Sequence, residues 1–279
     1  MGVIRFGVTL VQAMFYPART LGDDLPPAPE VPGVRNPVII VHAVCEDGLD
    51  SQDLARSLRR DGWTVFTPTM PNNGMDGVEA NAKALAAEVA RVQAVTGARK
   101  VDMIGHSQGG LDIRWYSFVL GGHANVGRVV SLGSPHHGVN GIYRTIRDAA
   151  QRIGLRNILP SGLEELVEGS AMIDTIRKHH PTAETAPWTS LYSADWDEVV
   201  IPRESSALEG ARNIELEQPM RRIAHRRRRG AQHLDLNHRS EEAYAYIREA
   251  LLGPAAPLAT SSATRGATAL ARARRRRLR

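Results

Sequence analysis

The chain has 279 residues, of which 42% are hydrophobic and 23% charged, with a formal net charge of +5. This length carries an α/β-sized core without metals or cross-links, and Cys45, the single cysteine, excludes an internal disulfide without fixing a compartment. Residues 261–279 hold seven arginines and no acid, which leaves −2 for everything else, so the basic average belongs to a tail and does not describe a nucleic-acid-binding fold.

Residues 1–16 carry one arginine, a glutamine inside the short apolar stretch and no small-residue cleavage pattern, which fits an amphipathic helix at least as well as a signal peptide. No apolar run approaches the length of a membrane span. The cytoplasm is therefore the default compartment, with secretion left open. The chain divides into an N-terminal segment and Pro-rich connector over 1–36, a folded domain over 37–253, and an Arg-rich tail over 254–279 expected to be disordered.

Within the domain, strand and helix patterns alternate. Val38 to His42 is a fully apolar strand, Gln52 to Asp61 a helix, Trp63 to Thr67 a second strand, and Pro68 to Gly77 a Pro/Asn/Gly loop. Val78 to Val95 predicts a long helix with apolar residues at 78, 82, 85, 89 and 92. The strand at Val101 to Ile104 and a helix over about 109–120 flank a turn, and Arg128 to Leu132 is a further strand. Residues 139–186 read as mainly helical, Trp188 to Ser193 and Ala211 to Leu216 as strands, and Glu241 to Leu252 as a closing helix. Short apolar strands separated by helices imply an α/β fold, a mainly parallel central sheet with helices on both faces.

The turn after the Val101 strand reads Gly105-His106-Ser107-Gln108-Gly109. G-x-S-x-G is too common by chance to decide anything alone, but here an apolar strand precedes it and a helix follows. That context makes it a nucleophile elbow: Ser107 is forced into a strained backbone conformation, and glycines two residues away on either side relieve the crowding. A serine nucleophile needs a base and an acid to orient that base, in chain order Ser, Asp or Glu, then His for this architecture. Asp195 and Asp197 follow the Trp188 strand, and His225, His233 and His238 follow the Ala211 strand.

At these motifs the chain resembles the compact bacterial triacylglycerol lipases and esterases of the α/β-hydrolase fold. The stretches that carry the likeness are 38–46, 101–110, 134–138 (Ser-Pro-His-His-Gly), and Tyr192 to Pro202 with Leu208 to Asn213. The resemblance implies Asp197 as the triad acid, with Asp195 as runner-up, and His233 as the base, with His238 as its competitor and His225 a distant third. It also implies that the backbone N–H groups of Val44 and Gln108 form an oxyanion hole. The family usually has His-Gly where this chain has His42-Ala43, so a reshaped hole is expected. Cys45 is expected to be a passive small residue, since nothing nearby lowers its pKa.

His136-His137 lacks further ligand spacing and reads as a cleft wall, with no metal; no cofactor is expected. The expected substrate is a lipid or small ester. The arginines between Arg221 and Arg229 are a solvated loop or attract an anionic membrane or lipid surface; nucleic acid is disfavoured because no aromatic residues interleave. Tyr143 to Gly169 is either a lid or an ordinary outer helix. Besides lipase-type ester hydrolysis, the motifs leave open a short-chain carboxylesterase or acyltransferase on the same triad. A non-catalytic binding module using the arginine segments is the reading from another class.

Overall fold

The computed structural model describes residues 35–140, 161–182, 184–194, 197, 199–217, 233, 236 and 240–253. The terminal segments, the arginine run at 221–229, Asp195, His225, His238 and the stretch 141–160 that holds most of the lid candidate lie outside them.

Six strands form one sheet: β1 (Val38–Val41), β2 (Val65–Phe66), β3 (Val101–His106), β4 (Val126–Leu132), β5 (Trp188–Ser193) and β6 (Arg212–Leu216). Their order is β2-β1-β3-β4-β5-β6, and every pair is parallel. The described helices are α1 (Gln52–Arg60), α2 (Val78–Thr96), α3 (Gln108–Arg114), α4 (Ser161–Glu165), α5 (Ala171–Ile176) and α6 (Glu241–Leu252).

The period of two along β1 explains why the sheet needs cover on both sides. Val38 and Ile40 pack with Leu54 and Leu58 of α1 and with Ile247 and Leu251 of α6. Ile39 and Val41 pack with Leu85, Val89 and Val92 of α2 and with Ile113 of α3. A third cluster joins Val44, Cys45, Leu111, Leu163, Ile173 and Val200 above the carboxyl ends of the strands. The chain runs β1 to β2 at the edge and returns to β3 on the other side of β1. Loops leaving β1 and β3 therefore diverge, which is where open α/β sheets place their sites. This is the α/β-hydrolase architecture the sequence led us to expect.

Two elements differ from expectation. The second strand is two residues long, because Trp63 is buried beneath the Arg35 guanidinium (4.2 Å from the ring centre) and its N–H bonds Leu58 at the end of α1. The helix after Ser107 loses α geometry at Trp115, where Leu120 N–H bonds back five residues to Trp115 O, a π turn.

Candidate active site

Ser107 stands between β3 and α3 at φ 51, ψ −119, its N–H bonded to Leu132 O of β4 (2.8 Å). The turn is tight enough that side chains are impossible beside it. A Cβ on Gly105 would lie 2.5 Å from Gly110 N, and one on Gly109 would lie 2.3 Å from Val41 O and 2.8 Å from His42 O. These approaches press the start of α3 against the end of β1, so Gln108 meets the loop that carries Val44.

Asp197 follows β5 and His233 follows β6, and both are buried. His233 Nδ1 lies 2.9 Å from Asp197 Oδ2, while Asp197 Oδ1 accepts the N–H groups of Val199 and Val200, both at 2.8 Å. Burial alone would raise the Asp197 pKa; the charge and hydrogen bond of His233, with the two backbone donors, outweigh it and hold the carboxyl below its usual value. The residues after the acid matter because their N–H groups pin one oxygen and leave the other to the histidine. The His233 ring lies against Gly133, where a Cβ would come within 3.0 Å of Nδ1.

The loop after β1 was expected to be reshaped by Ala43. In the structure the left-handed residue is Cys45 (φ 65), and Ala43 keeps a negative φ. Ala43 N–H donates to Glu46 Oε2 (3.0 Å) and Glu46 N–H returns to Ala43 O (3.2 Å). His42 accepts Met70 N–H on Nε2 (2.8 Å) and donates Nδ1–H to Ala43 O (2.7 Å). Burial lowers its pKa, and protonation would break the Met70 bond. The Cys45 thiol is pushed up to about 12 by burial and then by Glu46, which makes it inert.

His136 is buried, with Nε2 3.0 Å from Ser131 Oγ, and its carbonyl accepts from Arg114 (3.2 Å). Arg114 also donates to His179 O (2.7 Å), so it staples the 134–138 loop to α3; burial brings its pKa down to about 10, still charged at neutral pH. Among the described residues no group of three His, Cys, Asp or Glu is placed to hold a metal.

Glu46 and Arg114 went unnoticed in the sequence. An isolated Glu or Arg carries no pattern: Glu46 meets His106 only through the approach of β1 and β3, and Arg114 meets its partners only where the 134–138 loop and His179 come to α3.

A family profile described as palmitoyl protein thioesterase matches residues 37–185. The chain is 33% identical over 133 residues to a triacylglycerol lipase of Vibrio cholerae, covering 46% of this chain and 38% of that protein. It is 34% identical over 113 residues to a triacylglycerol lipase of Pseudarthrobacter phenanthrenivorans, covering 37% of this chain and 34% of that one. The match thus spans little more than a third of either relative. A solved Bacillus licheniformis lipase in mature form superposes with a TM-score of 0.56 at 20% identity, over 68% of this chain and 86% of that one. At that identity the likeness supports the fold alone.

Proposed function

The chain belongs to the palmitoyl protein thioesterase family, and on that premise we propose that it is a serine acyl hydrolase of lipase type, cleaving carboxylic esters through a covalent acyl-enzyme. The observation that carries this reading is the buried His233–Asp197 pair at 2.9 Å beside a serine held at φ 51 in a strand-to-helix turn.

In this reading Ser107 attacks the acyl carbonyl while His233 takes its proton. Asp197 fixes the His233 tautomer, since Nδ1–H must point at Oδ2 for Nε2 to act as base. His233 then protonates the leaving alcohol, water attacks the acyl-enzyme, and the acid departs. The N–H groups of Val44 and Gln108 stabilise charge that exists only in the tetrahedral intermediates. Gln108 is the first residue of α3, so its N–H has no partner within the helix. Val44 N–H meets no acceptor among the described residues.

The second reading, favoured by the family match, is thioester hydrolysis. The acyl-enzyme is the same, and a thiolate leaves with less help from a general acid. The relatives named as triacylglycerol lipases point to an acylglycerol substrate, and the arginine run before His233 is compatible with an anionic lipid surface.

The test is a p-nitrophenyl ester series from acetate to palmitate, with matched S-acyl substrates, on wild type and Ser107→Ala. Turnover by wild type and none by the variant is expected; the chain-length optimum and the O-ester to S-ester ratio then divide esterase, lipase and thioesterase. No turnover of any substrate by folded wild type sinks the reading in favour of a binding module.

A further inference from the structure

Glu46 and His106 have no part in the acyl-transfer steps above, yet both are buried, and between them they contact the loop after β1 and His233. His106 Nε2 lies 3.0 Å from the backbone oxygen of His233. A carbonyl only accepts, so Nε2 carries the hydrogen. On the other side of the ring, Nδ1 lies 3.1 Å from Glu46 Oε2, the same oxygen that accepts Ala43 N–H. A contact between Nδ1 and a carboxyl oxygen holds one proton between them, on the ring or on the acid. His106 immediately precedes Ser107, and its ring centre is 5.0 Å from that of His233.

We propose that Glu46 and His106 are a proton-bridged positioning pair, which holds the oxyanion loop at Ala43 and the backbone of His233 as one unit around Ser107. The inference rests on the roles given above to Ser107, His233 and Val44. The connected path is Ala43 N–H to Glu46, Glu46 to His106, and His106 to the His233 carbonyl. In a buried network each member is set by its neighbours, and a half-satisfied one is costly. Displacing either end moves a group that must meet the transition state within a fraction of an ångström.

Glutamine at 46 keeps the shape and breaks the chain. If its oxygen faces Ala43 N–H and Nδ1, the ring needs a second proton with no counter-charge. If its nitrogen faces Nδ1, it meets the Ala43 N–H donor to donor. One bond is lost with no change of volume.

The experiment is steady-state hydrolysis of a short p-nitrophenyl ester by Glu46→Gln, His106→Asn and the double variant, with an unfolding temperature for each. Each single substitution is expected to lower kcat about 10- to 100-fold with KM within about twofold. The double variant is expected to be no worse than the more impaired single, because the two act as one unit. Glu46→Gln with kcat within about twofold of wild type overturns the pairing, as does a double variant whose loss is the product of the two. A side chain that only fills space tolerates Gln at 46, so that role is distinguished.

Should Glu46→Gln not fold, histidine-selective 15N spectra of the wild-type protein carry the test: a protonated Nε2 on His106 is expected, and an unprotonated one overturns the inference. Ser107→Ala separates the layers. Activity surviving there removes the triad reading itself, whereas a dead Ser107→Ala beside a fully active Glu46→Gln removes the pair alone.

Discussion

Two turns meet at the carboxyl ends of β1 and β3, each with a non-glycine residue at positive φ: Ser107 at 51 and Cys45 at 65. They are braced by different means. The Ser107 turn is closed by backbone against backbone, with Gly105 packed on Gly109 and Gly110 and with Gly109 packed on Val41 and His42. The Cys45 turn is closed by polar side chains, with Glu46 on Ala43 N–H and His42 between Ala43 O and Met70 N–H. A left-handed residue costs about 1–2 kcal/mol in either place, and the surroundings must over-determine it. Packing does so without regard to pH. Hydrogen bonds to a neutral histidine do so only while that histidine stays neutral.

The contrast is broken most severely at Gly109→Ala. The added methyl would sit 2.3 Å from Val41 O, a backbone atom of β1, which is paired with a strand on each side. A loss of about 3–5 kcal/mol is expected, enough to abolish folding or nearly so. Denaturant unfolding checks it, and a variant of near wild-type stability would show that the turn has slack.

A middle effect is expected at His42→Phe, which leaves Met70 N–H unbonded inside the core and costs about 1–3 kcal/mol near pH 8. The His42 pKa lies below its usual 6.5. A lowered folded-state value means that the contribution is whole above that pH and drains away as pH falls below it, because the unfolded chain takes up the proton more readily. The gap in unfolding temperature between wild type and His42→Phe should therefore narrow from pH 8 to pH 5. A gap independent of pH would mean that the loop is held by packing, like its neighbour.

The smallest effect is expected at Cys45→Gly. It relieves the positive φ but empties a buried site beside Leu111 and Val200, so the two changes offset to within about 1 kcal/mol. Ester turnover should persist within a few-fold, since the thiol has no part in the chemistry. Loss of turnover with the fold intact would give Cys45 a role that its buried, inert thiol does not support.

The same contrast explains what was legible in the sequence. A turn closed by close backbone approach has to write glycine at fixed positions, so G-x-S-x-G after an apolar strand announces Ser107. Sheet class and element order were likewise visible, because a strand covered on both faces reads as an unbroken apolar run, as Val38 to Val41 does. Asp197 and His233 were assigned through resemblance to a family; the residues alone left Asp195 and His238 open. Among the described residues His233 Nδ1 lies 2.9 Å from Asp197 Oδ2, while Asp195 and His238 lie outside them. Glu46 was invisible because one partner, Ala43 N–H, is a backbone group that no side chain announces, and the other, His106, is brought to it only by the pairing of β1 with β3. Ala43 was read only as a departure from His-Gly for a related reason: the sequence does not show that the Glu46 carboxyl accepts the Ala43 N–H.

The account stands or falls on Ser107 as a nucleophile activated by His233. The most direct test is the intact mass of the protein after brief exposure to a fluorophosphonate, for wild type, Ser107→Ala and His233→Ala. One adduct per chain on Ser107 is expected in wild type, none in Ser107→Ala, and a strongly slowed adduct in folded His233→Ala. Labelling on another residue, or labelling of His233→Ala at the wild-type rate, would contradict it.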